Sequence, residues 1–462
     1  MRRVHLLMAV LIVGYMLGVW NFLVVPHYLI TLGMKGFALS LVPIILSIGL
    51  IYLELESTRR SRYMMYEFLT KAARKPGIAI TLLMFLFMMV GINAYYSGHA
   101  LNSLLGMNQA YAALLGILTL LIVGILLLMA KGRTLDFMAT VSVLFILFAV
   151  ASFVLMRGAA SSAITNRQSL RYLEAALNSL SSFGGTLTVA NIAQLFVATI
   201  VVFGMGVGFY YVLGSFMPEE IDVKKILAVV LVLEVALSFM ASFIVVYSLG
   251  FAHQSFKESF FGGAPATQSF ELYRHFNQLR AYTTNSSMSV VSSMETVYFI
   301  PTILEKGGME GADRIAWLLM LSIYLAGLTT LIPLVEIGSQ ITAEMLQLGR
   351  RNSVFLIIVL GTLMTAIMYL APVRTVLLAV PFGVGLIIAA VEAFPLLSEK
   401  KVLGEGAKAF ATLSLVVFLL MGLAVVYREL RVMGLYGRVG IVLGFILLIP
   451  VLFNSALLKT RR

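Results

Sequence analysis

The sequence contains no cysteine, and only 12% of its 462 residues are charged. The lack of cysteine excludes disulfide bonds, thiolate metal sites and cysteine nucleophiles. The charged fraction is well below the roughly 25% of an average soluble domain. Hydrophobic residues make up 60% of the chain, which is more apolar surface than a globular core of this length can bury. We therefore expect much of this surface to face lipid.

Groups suited to enzymatic chemistry are also scarce. The five histidines are scattered along the chain, and we find no paired carboxylates on one predicted helix face. Gly204, Gly206 and Gly208 do not open a βαβ unit, so they do not form a dinucleotide-binding loop. We expect no enzymatic activity, no organic cofactor and no nucleic-acid partner.

Long apolar runs predict an all-α membrane protein with about twelve transmembrane helices, since about 20 apolar residues cross a bilayer. The first predicted spans are His5–Leu32, Ala38–Leu55, Pro76–Leu105, Tyr111–Ala130, Leu135–Met156 and Leu187–Phe216. The later ones are Ile226–Leu249, Ile315–Met345, Ser353–Leu370, Val376–Leu397, Phe410–Val426 and Val439–Leu458. We expect that the N-terminal run is not a signal peptide, because it is too long and lacks a small-residue cleavage site.

Lysine and arginine concentrate in alternate short loops between these spans. The clusters lie at residues 59–62, 71–75, 131–133, 224–225, 350–351 and 400–408. Such clusters are typical of cytoplasmic loops, and an even number of spans then places both termini in the cytoplasm of a cell whose plasma membrane holds the protein. The long loops at 157–186 and 251–314 are expected outside. In the second, the semi-apolar stretch Val290–Leu304 is expected to form a helical cap.

Glycine and proline interrupt two of the spans at corresponding places. The first span contains the glycine-rich segment Gly14–Asn21 with Pro26 beyond, and the sixth contains Gly204–Gly208 with Pro218 beyond. An interrupted helix exposes carbonyls and amides that lipid cannot satisfy, so it must line a cavity. Paired interruptions are typical of transporters built from inverted repeats, where carbonyls hold a cation. The alternative is that these glycines only permit close helix packing.

At these positions the sequence resembles the neurotransmitter:sodium symporter family, as a divergent member of prokaryotic type. The segments that carry the resemblance are Gly14–Pro26, Ala94–Ser97, Gln194–Tyr211, Ile300–Gly308 and Ala326–Thr330. The resemblance implies the leucine-transporter-like (LeuT-like) fold, a 5+5 inverted repeat with helices one and six interrupted. The two halves would be residues 1–156 and 187–397, and residues 398–462 would hold the last two spans.

A sodium site of this family maps onto the sequence residue by residue. It implies cation ligands from the backbone carbonyls of Gly14, Leu17 and Ala326 and from the hydroxyls of Thr329 and Thr330. Na⁺ is then the expected coupling ion. The alternative is that both threonine hydroxyls bond back to their own helix.

A second cation position is implied around Asn21 and Glu234. Asn21 matches a side-chain ligand of the family, and Glu234 lies in an otherwise apolar run. A carboxyl group inside a span is by default functional, so Glu234 would either ligate a cation or carry a proton that couples transport. A hydrogen bond between helices is the alternative. Ser238 matches a chloride-site serine of the family, but a nearby carboxylate can substitute for the anion, so the resemblance leaves chloride dependence open.

The resemblance also outlines a substrate pocket. Its expected lining is Met16, Trp20, Tyr96, Val202, Met205 and Thr330. Trp20 replaces a glycine of the family, and it either fills part of the pocket, stacks over the substrate or points away. The outer gate pair of the family is missing, because Val24 and Leu377 occupy its positions.

Three further residues are implied in support and gating. Glu56 would brace the interrupted segment, and Glu344 would pair with Arg3 when the cytoplasmic side closes. The expected function is sodium-coupled import of an amino acid or related small zwitterion by alternating access, as a monomer or homodimer in the lipid bilayer. The alternatives are a proton-coupled or exchange transporter that uses Glu234, and a membrane sensor that does not transport.

Overall fold

The computed structural model describes residues 3–129, 133–184, 187–286, 288, 290–398 and 404–459, without the side chains of residues 3–7, 290–292 and 458–459. Within these ranges the regular elements are helices, and no strand occurs. Nine of the described helices are long and apolar enough to cross a membrane, or ten if the bent pair Ala371–Gly383 and Gly385–Ser398 is one span. The prediction of an all-α, multi-pass membrane protein is confirmed.

The helices divide into those before and those after residue 187. The first set is α1 (Arg3–Met16), α2 (Trp20–Leu23), α3 (Val25–Ser61), α4 (Met65–Glu67), α5 (Pro76–Leu104), α6 (Ala112–Met129), α7 (Thr134–Ala163) and α8 (Arg167–Ser181). The second set begins with α9 (Val189–Val202), α10 (Phe209–Phe216), α11 (Val223–Phe261), α12 (Ala266–Thr284), α13 (Val290–Val297), α14 (Ile300–Lys306), α15 (Ala312–Leu346) and α16 (Arg350–Ile367). It ends with α17 (Ala371–Gly383), α18 (Gly385–Ala393), α19 (Pro395–Ser398), α20 (Glu405–Val432), α21 (Leu435–Leu447), α22 (Ile449–Leu452) and α23 (Asn454–Lys459).

The first predicted span is interrupted, because α1 ends at Met16 and α2 begins at Trp20. The chain then continues as α3 through a bend at Gly33, where φ is 60° and ψ is −156°. This conformation is essentially limited to glycine. The predicted loop between the first and second spans is therefore corrected to a bend at one residue. The end of α8 packs on it, since the Met34 amide donates to the Ser182 carbonyl at 3.0 Å.

The sixth predicted span is interrupted as well. α9 ends at Val202 and α10 begins at Phe209. Between them Gly204, Gly206 and Gly208 have φ angles of 60°, 95° and 78°, in the left-handed region that glycine adopts at no steric cost. The backbone here follows a path that residues with a Cβ would strain to adopt.

Both long loops contain helices, α8 in the first and α12, α13 and α14 in the second. The helical cap expected over Val290–Leu304 is present, and the Tyr298 hydroxyl between α13 and α14 donates to the Tyr96 carbonyl of α5 at 2.9 Å. The end of the bundle that carries these helices is termed the loop-helix end. The opposite end, with Arg59 and Arg350, is termed the basic end. The predicted basic residues Lys131, Lys400 and Lys401 lie outside the described residues.

α5 and α15 form the centre of the bundle. The buried share of the membrane-length segment is 83% for α5 and 78% for α15, against 33% for α7. α5 packs along α15, and α15 also contacts both α1 and α10. The two interruptions therefore face the most buried helix pair of the protein.

Candidate functional site

The first break, between α1 and α2, leaves two backbone carbonyls free. The Leu17 amide still donates to the Val13 carbonyl at 2.9 Å, and the next bond runs from the Asn21 amide to the Gly18 carbonyl at 3.3 Å. Between these bonds, no backbone amide of the described residues donates to the carbonyls of Gly14 or Leu17. Buried carbonyls normally have a partner, so both are available to a ligand.

α15 faces this break with two threonines. A methyl group on Gly14 would lie 3.4 Å from the Cβ of Thr329, and one on Gly18 would overlap the Oγ1 of Thr330. The break therefore approaches α15 closely because both positions are glycine. The two threonine hydroxyls donate to the Ala326 carbonyl at 2.8 and 3.1 Å. The back-bonding considered as an alternative is thus present, but it leaves lone pairs on both hydroxyl oxygens.

The carbonyls of Gly14 and Leu17 and the hydroxyls of Thr329 and Thr330 are uncharged oxygen donors. Carbonyl and hydroxyl oxygens suit hard cations, whereas imidazole and thiolate ligands suit transition metals. In the described ranges, no group of three or more His, Cys, Asp or Glu side chains could hold a metal ion. The C-terminal end of α1 adds partial negative charge. The donor set therefore fits an alkali cation, with Gly14, Leu17, Thr329 and Thr330 as the residues that would hold it. The carbonyl of Ala326, the fifth predicted ligand, already accepts both threonine hydroxyls.

At the second break, between α9 and α10, tyrosine hydroxyls bind two of the backbone carbonyls. The Tyr15 hydroxyl donates to the Gly204 carbonyl at 2.9 Å, and the Tyr210 hydroxyl donates to the Phe203 carbonyl. Because Tyr15 belongs to α1, its bond also ties the first interrupted helix to the second break.

Glu392 of α18 satisfies the amides of the second break. Its carboxylate accepts hydrogen bonds from the amides of Gly206 and Gly208, the latter at 2.6 Å. Its backbone carbonyl accepts from the Tyr211 hydroxyl at 2.9 Å. The carboxylate is buried and lies at the N-terminal end of α10, where negative charge is favourable. Sequence analysis missed Glu392, although a carboxyl group within an apolar run is the signal that marks it.

The bracing role expected for Glu56 is corrected by its contacts. Its carboxylate oxygens lie 3.0 Å from Arg59 and 2.9 Å from Arg60, at the basic end of α3. Glu54, two positions earlier, is fully buried and interacts electrostatically with Glu392. Its carboxyl oxygens have no hydrogen-bond partner among the described residues. The acid of α3 that faces the second break is therefore Glu54.

A small central pocket lies between the two breaks and α5. Four of the predicted substrate residues line it, namely Trp20, Val202, Met205 and Thr330. Its volume is about 10 Å³, roughly the space that one water molecule needs. Side chains therefore fill the position where a solute would bind, and binding requires at least one of them to move.

Trp20 is one of the residues that line this pocket. Its ring lies edge-on to Tyr96 and Phe382, with centroids 6.1 Å apart in both pairs. The hydroxyl of Tyr96 and the Oδ1 of Asn93 are buried and have no hydrogen-bond partner in the described part of the chain. Asn93 lines the pocket and was not identified from the sequence. Tyr96 and Met16, the other two predicted substrate residues, do not line the pocket.

Asn21 and Glu234 are linked through Ser238. The Ser238 hydroxyl lies 3.4 Å from Oδ1 of Asn21 and 3.2 Å from Oε1 of Glu234, and it can donate to one of them at a time. Asn21 also donates to the Met16 carbonyl at 3.4 Å. The predicted second-site residues are thus brought together, and Met16 contributes its backbone to their network.

Two larger cavities lie on either side of the central pocket. One of about 260 Å³ lies at the basic end between α1, α7, α10 and α15. The other, of about 360 Å³, lies at the loop-helix end between α5, α13 and α17. Along α15 the central pocket at Thr330 precedes the first cavity at Glu336, and along α5 the pocket at Asn93 precedes the second at His99. The three spaces follow one another through the bundle.

Arg374 of α17 lies at the wall of the loop-helix cavity. It forms an ion pair with Glu295 of α13 at 2.9 Å and donates to the Tyr95 hydroxyl at 2.5 Å. The pair joins the helical cap to α17 beside the central aromatic residues. Sequence analysis found no such pair because it considered Val24 and Leu377, whereas the acid lies on a loop helix.

Glu344 lies at the basic end of α15, where its carboxylate accepts a hydrogen bond from the Tyr66 amide at 3.0 Å. It therefore ties α15 to the turn that follows α3. The side chain of Arg3, its predicted partner, lies outside the described residues, so their pairing stays a prediction.

Comparison with known proteins adds no assignment to this geometry. No family model matches the sequence, and no curated protein matches it. The symporter resemblance therefore stays a hypothesis, and function is argued from the residues at the two breaks.

Proposed function

We propose that this protein is a sodium-coupled secondary transporter that imports an amino acid or related small zwitterion across the plasma membrane. The proposed scaffold is the LeuT-like 5+5 repeat of about twelve spans, with both termini in the cytoplasm. The observation that carries the proposal is the set of oxygen donors at the first break. There Gly14 and Gly18 approach Thr329 and Thr330 of α15, and the carbonyls of Gly14 and Leu17 receive no backbone amide of the described residues. Na⁺ is a transported ion in this proposal.

A cation at these oxygen atoms would bind two parts of the protein at once. Gly14 and Leu17 belong to α1 and the first break, while Thr329 and Thr330 belong to α15. An ion that binds only when these parts are close stabilises that conformation over one in which they separate. Solute affinity in the adjacent pocket would then depend on Na⁺, and Na⁺ affinity on the solute to the same degree. Thr330 contributes to both sites, which supports this coupling.

Alternating access is supported by the order of the three spaces. The cavities of about 260 and 360 Å³ approach the two ends of the bundle, with a nearly filled pocket between them. Movement of Trp20 would expose Oδ1 of Asn93 and the Tyr96 hydroxyl. The first can accept a hydrogen bond from an ammonium group, and the second can donate to a carboxylate. This pair of polar atoms fits a zwitterion.

Uptake into proteoliposomes tests the proposal. Purified protein would be offered each of about twenty radiolabelled amino acids under an inward Na⁺ or K⁺ gradient, and we expect uptake of at least one only with Na⁺. The double variant Thr329→Ala/Thr330→Ala should reduce this uptake at least about tenfold, because a polar group that binds a charged partner contributes about 1.5–3 kcal/mol. Thr119→Ala is the matched control, because that buried hydroxyl donates to the Leu115 carbonyl at 2.8 Å. Uptake that ignores the gradient would reject sodium coupling, and saturable uptake of any solute would exclude a non-transporting sensor.

A proton-coupled or exchange transporter of the same fold is the second candidate. The observation that favours it is the buried network of Glu234, Ser238 and Asn21, which reaches the first break. In this case Glu234 would carry the coupled proton. Glu234→Gln should then abolish the dependence of uptake on a pH gradient. Unchanged coupling in this variant would remove the candidate.

A further inference from the structure

Ser142 of α7 has an unusual hydroxyl for a buried membrane serine. It is 1% exposed and has no hydrogen-bond partner in the described ranges. Buried serines on membrane helices commonly donate to a carbonyl of the preceding turn. Ser152 on the same helix does so, to the Ala149 carbonyl at 2.9 Å, as does Ser97 on α5, to Asn93 at 2.7 Å. The position of Ser142 therefore requires a separate explanation.

The Ser142 hydroxyl is directed at the first break. A methyl group on Gly14 would overlap its Oγ and would also lie 3.4 Å from the Cβ of Thr329. Ser142 and Thr329 therefore approach the same side of Gly14. α7 packs against both α1 and α15, so the hydroxyl reaches this point from a third helix. The lone pairs of the Ser142 hydroxyl have no partner in the described ranges. A group that accepts an electron pair would fit this position.

We propose that Ser142 is an additional ligand of the sodium ion at the first break. This inference rests on the proposed function and extends its site to α7. The hydroxyl oxygen would bind the cation together with the carbonyls of Gly14 and Leu17 and the two threonine hydroxyls. The cation is the missing partner of the Ser142 lone pairs. Its binding would fix α7 relative to α1 and α15.

The α7 ligand has a structural consequence at the basic end. α7 contributes Leu135 and Met138 to the lining of the cavity of about 260 Å³, next to Leu11 of α1. If the ion holds α1, α7 and α15 together, the walls of this cavity cannot separate until the ion leaves. Release of Na⁺ and widening of the path at the basic end would then be one event.

Thermal unfolding of the purified protein at increasing NaCl, with KCl replacing it to constant ionic strength, tests the inference without a transport assay. For Ser142→Ala we expect the Na⁺ concentration that gives half-maximal stabilisation to rise about tenfold. Without Na⁺ the variant should be at least as stable as the unaltered protein, because it loses a buried unpaired hydroxyl. Ser152→Ala should leave the Na⁺ concentration for half-maximal stabilisation unchanged. Ser47→Ala should do the same, since it removes another buried unpaired hydroxyl, on α3.

Ser142→Cys provides a second variant in case Ser142→Ala does not fold. It keeps the shape of the side chain but replaces the oxygen with sulfur, a larger and soft ligand that suits an alkali cation poorly. For this variant, too, the Na⁺ concentration for half-maximal stabilisation should rise about tenfold. An unchanged Na⁺ response in the folded variant would overturn the role of Ser142 while leaving the proposed function intact. Absence of Na⁺ stabilisation in the unaltered protein would instead reject the sodium site itself.

Discussion

The two interrupted helices differ in how their backbone groups are satisfied. At the second break, Glu392 accepts from the amides of Gly206 and Gly208, and tyrosine hydroxyls donate to the carbonyls. At the first break, the carbonyls of Gly14 and Leu17 receive no backbone amide of the described chain. Side chains therefore serve four backbone groups of the second break, although its Met205 and Gly206 carbonyls also receive no backbone amide of the described residues. Since an unpaired buried polar group is costly, the unserved carbonyls of Gly14 and Leu17 mark the first break as a place for a ligand.

This difference also bears on the kind of ligand. The N-terminal end of α10 would favour an anion, but Glu392 already occupies it. A carboxylate substrate therefore has no free helix N-terminus there. The first break offers the carbonyls of Gly14 and Leu17, which favour a cation, and the amides of Gly18, Val19 and Trp20 donate to no backbone carbonyl of the described residues. The side chain of Asn93 in the central pocket is a further polar group for the solute.

The largest loss of stability is expected when Glu392, whose carboxylate binds the amides of the second break, is replaced. Glu392→Ala would leave two buried amides without an acceptor, at about 1–3 kcal/mol each. We expect the free energy of unfolding to fall by about 4 kcal/mol, measured by denaturant unfolding in detergent. Glu305→Ala, at an exposed position of α14, should change it by less than about 0.5 kcal/mol. Equal stability of both variants would mean that the second break does not depend on Glu392.

A methyl group added at the first break should weaken Na⁺ binding more than it destabilises the fold. Gly18→Ala would overlap the Oγ1 of Thr330, and overpacking of this kind costs about 1–3 kcal/mol. The Na⁺ concentration for half-maximal thermal stabilisation should rise more than about tenfold, because the break and α15 must separate. Gly158→Ala on α7, where nothing lies within 4 Å of the added methyl group, is the control and should leave the Na⁺ response unchanged. The same Na⁺ response in both variants would contradict a site between the break and α15.

A smaller ring at Trp20 tests whether this residue limits the pocket between the breaks. Trp20→Phe should cost about 1.5 kcal/mol, less than the 3–5 kcal/mol of full truncation. The freed volume should let bulkier amino acids compete for uptake. Trp317→Phe is the matched control, because that tryptophan is 49% exposed on α15. If Trp20→Phe leaves the order of competing solutes unchanged, Trp20 does not set the size of the site.

The smallest loss of stability is expected for the exposed carboxylate of Glu271. It serves as the reference for the buried carboxylate of Glu392. Lys306 lowers the pKa of Glu271 on α12 through a hydrogen bond and its charge. The ion pair therefore stabilises the protein above the usual glutamate pKa of about 4.3 and is lost as the pH falls below it. Glu271→Gln should cost less than about 0.5 kcal/mol at pH 7, since both side chains are about 40% exposed. In thermal unfolding, the difference from the unaltered protein should shrink as the pH falls below the usual glutamate pKa. A difference that does not change with pH would exclude the ion pair as its cause.

The parts of the site that local sequence can encode were predicted. Glycines at 14, 18, 204, 206 and 208 mark both breaks, because glycine is needed for close approach or for positive φ. Thr329 and Thr330 lie within the same short motif and face the first break as expected. The helical cap was also predicted, from the apolar content of a loop too long to be structureless.

The parts that depend on packing between distant segments were not predicted. Glu56 pairs with Arg59 and Arg60 of its own helix, and the amides of the second break bind Glu392 of α18 instead. Glu392 was passed over because its partners are backbone amides of another helix. Arg374 and Glu295 are joined by the folding of the cap onto α17, which no local pattern specifies.

The most direct measurement is equilibrium binding of radioactive ²²Na⁺ to the purified protein in detergent. We predict saturable binding that unlabelled Na⁺ displaces and K⁺ does not, and that Thr329→Ala/Thr330→Ala removes while Thr119→Ala retains. Absence of saturable binding, or equal binding by the double variant, would contradict the claim that the first break and α15 form a sodium site.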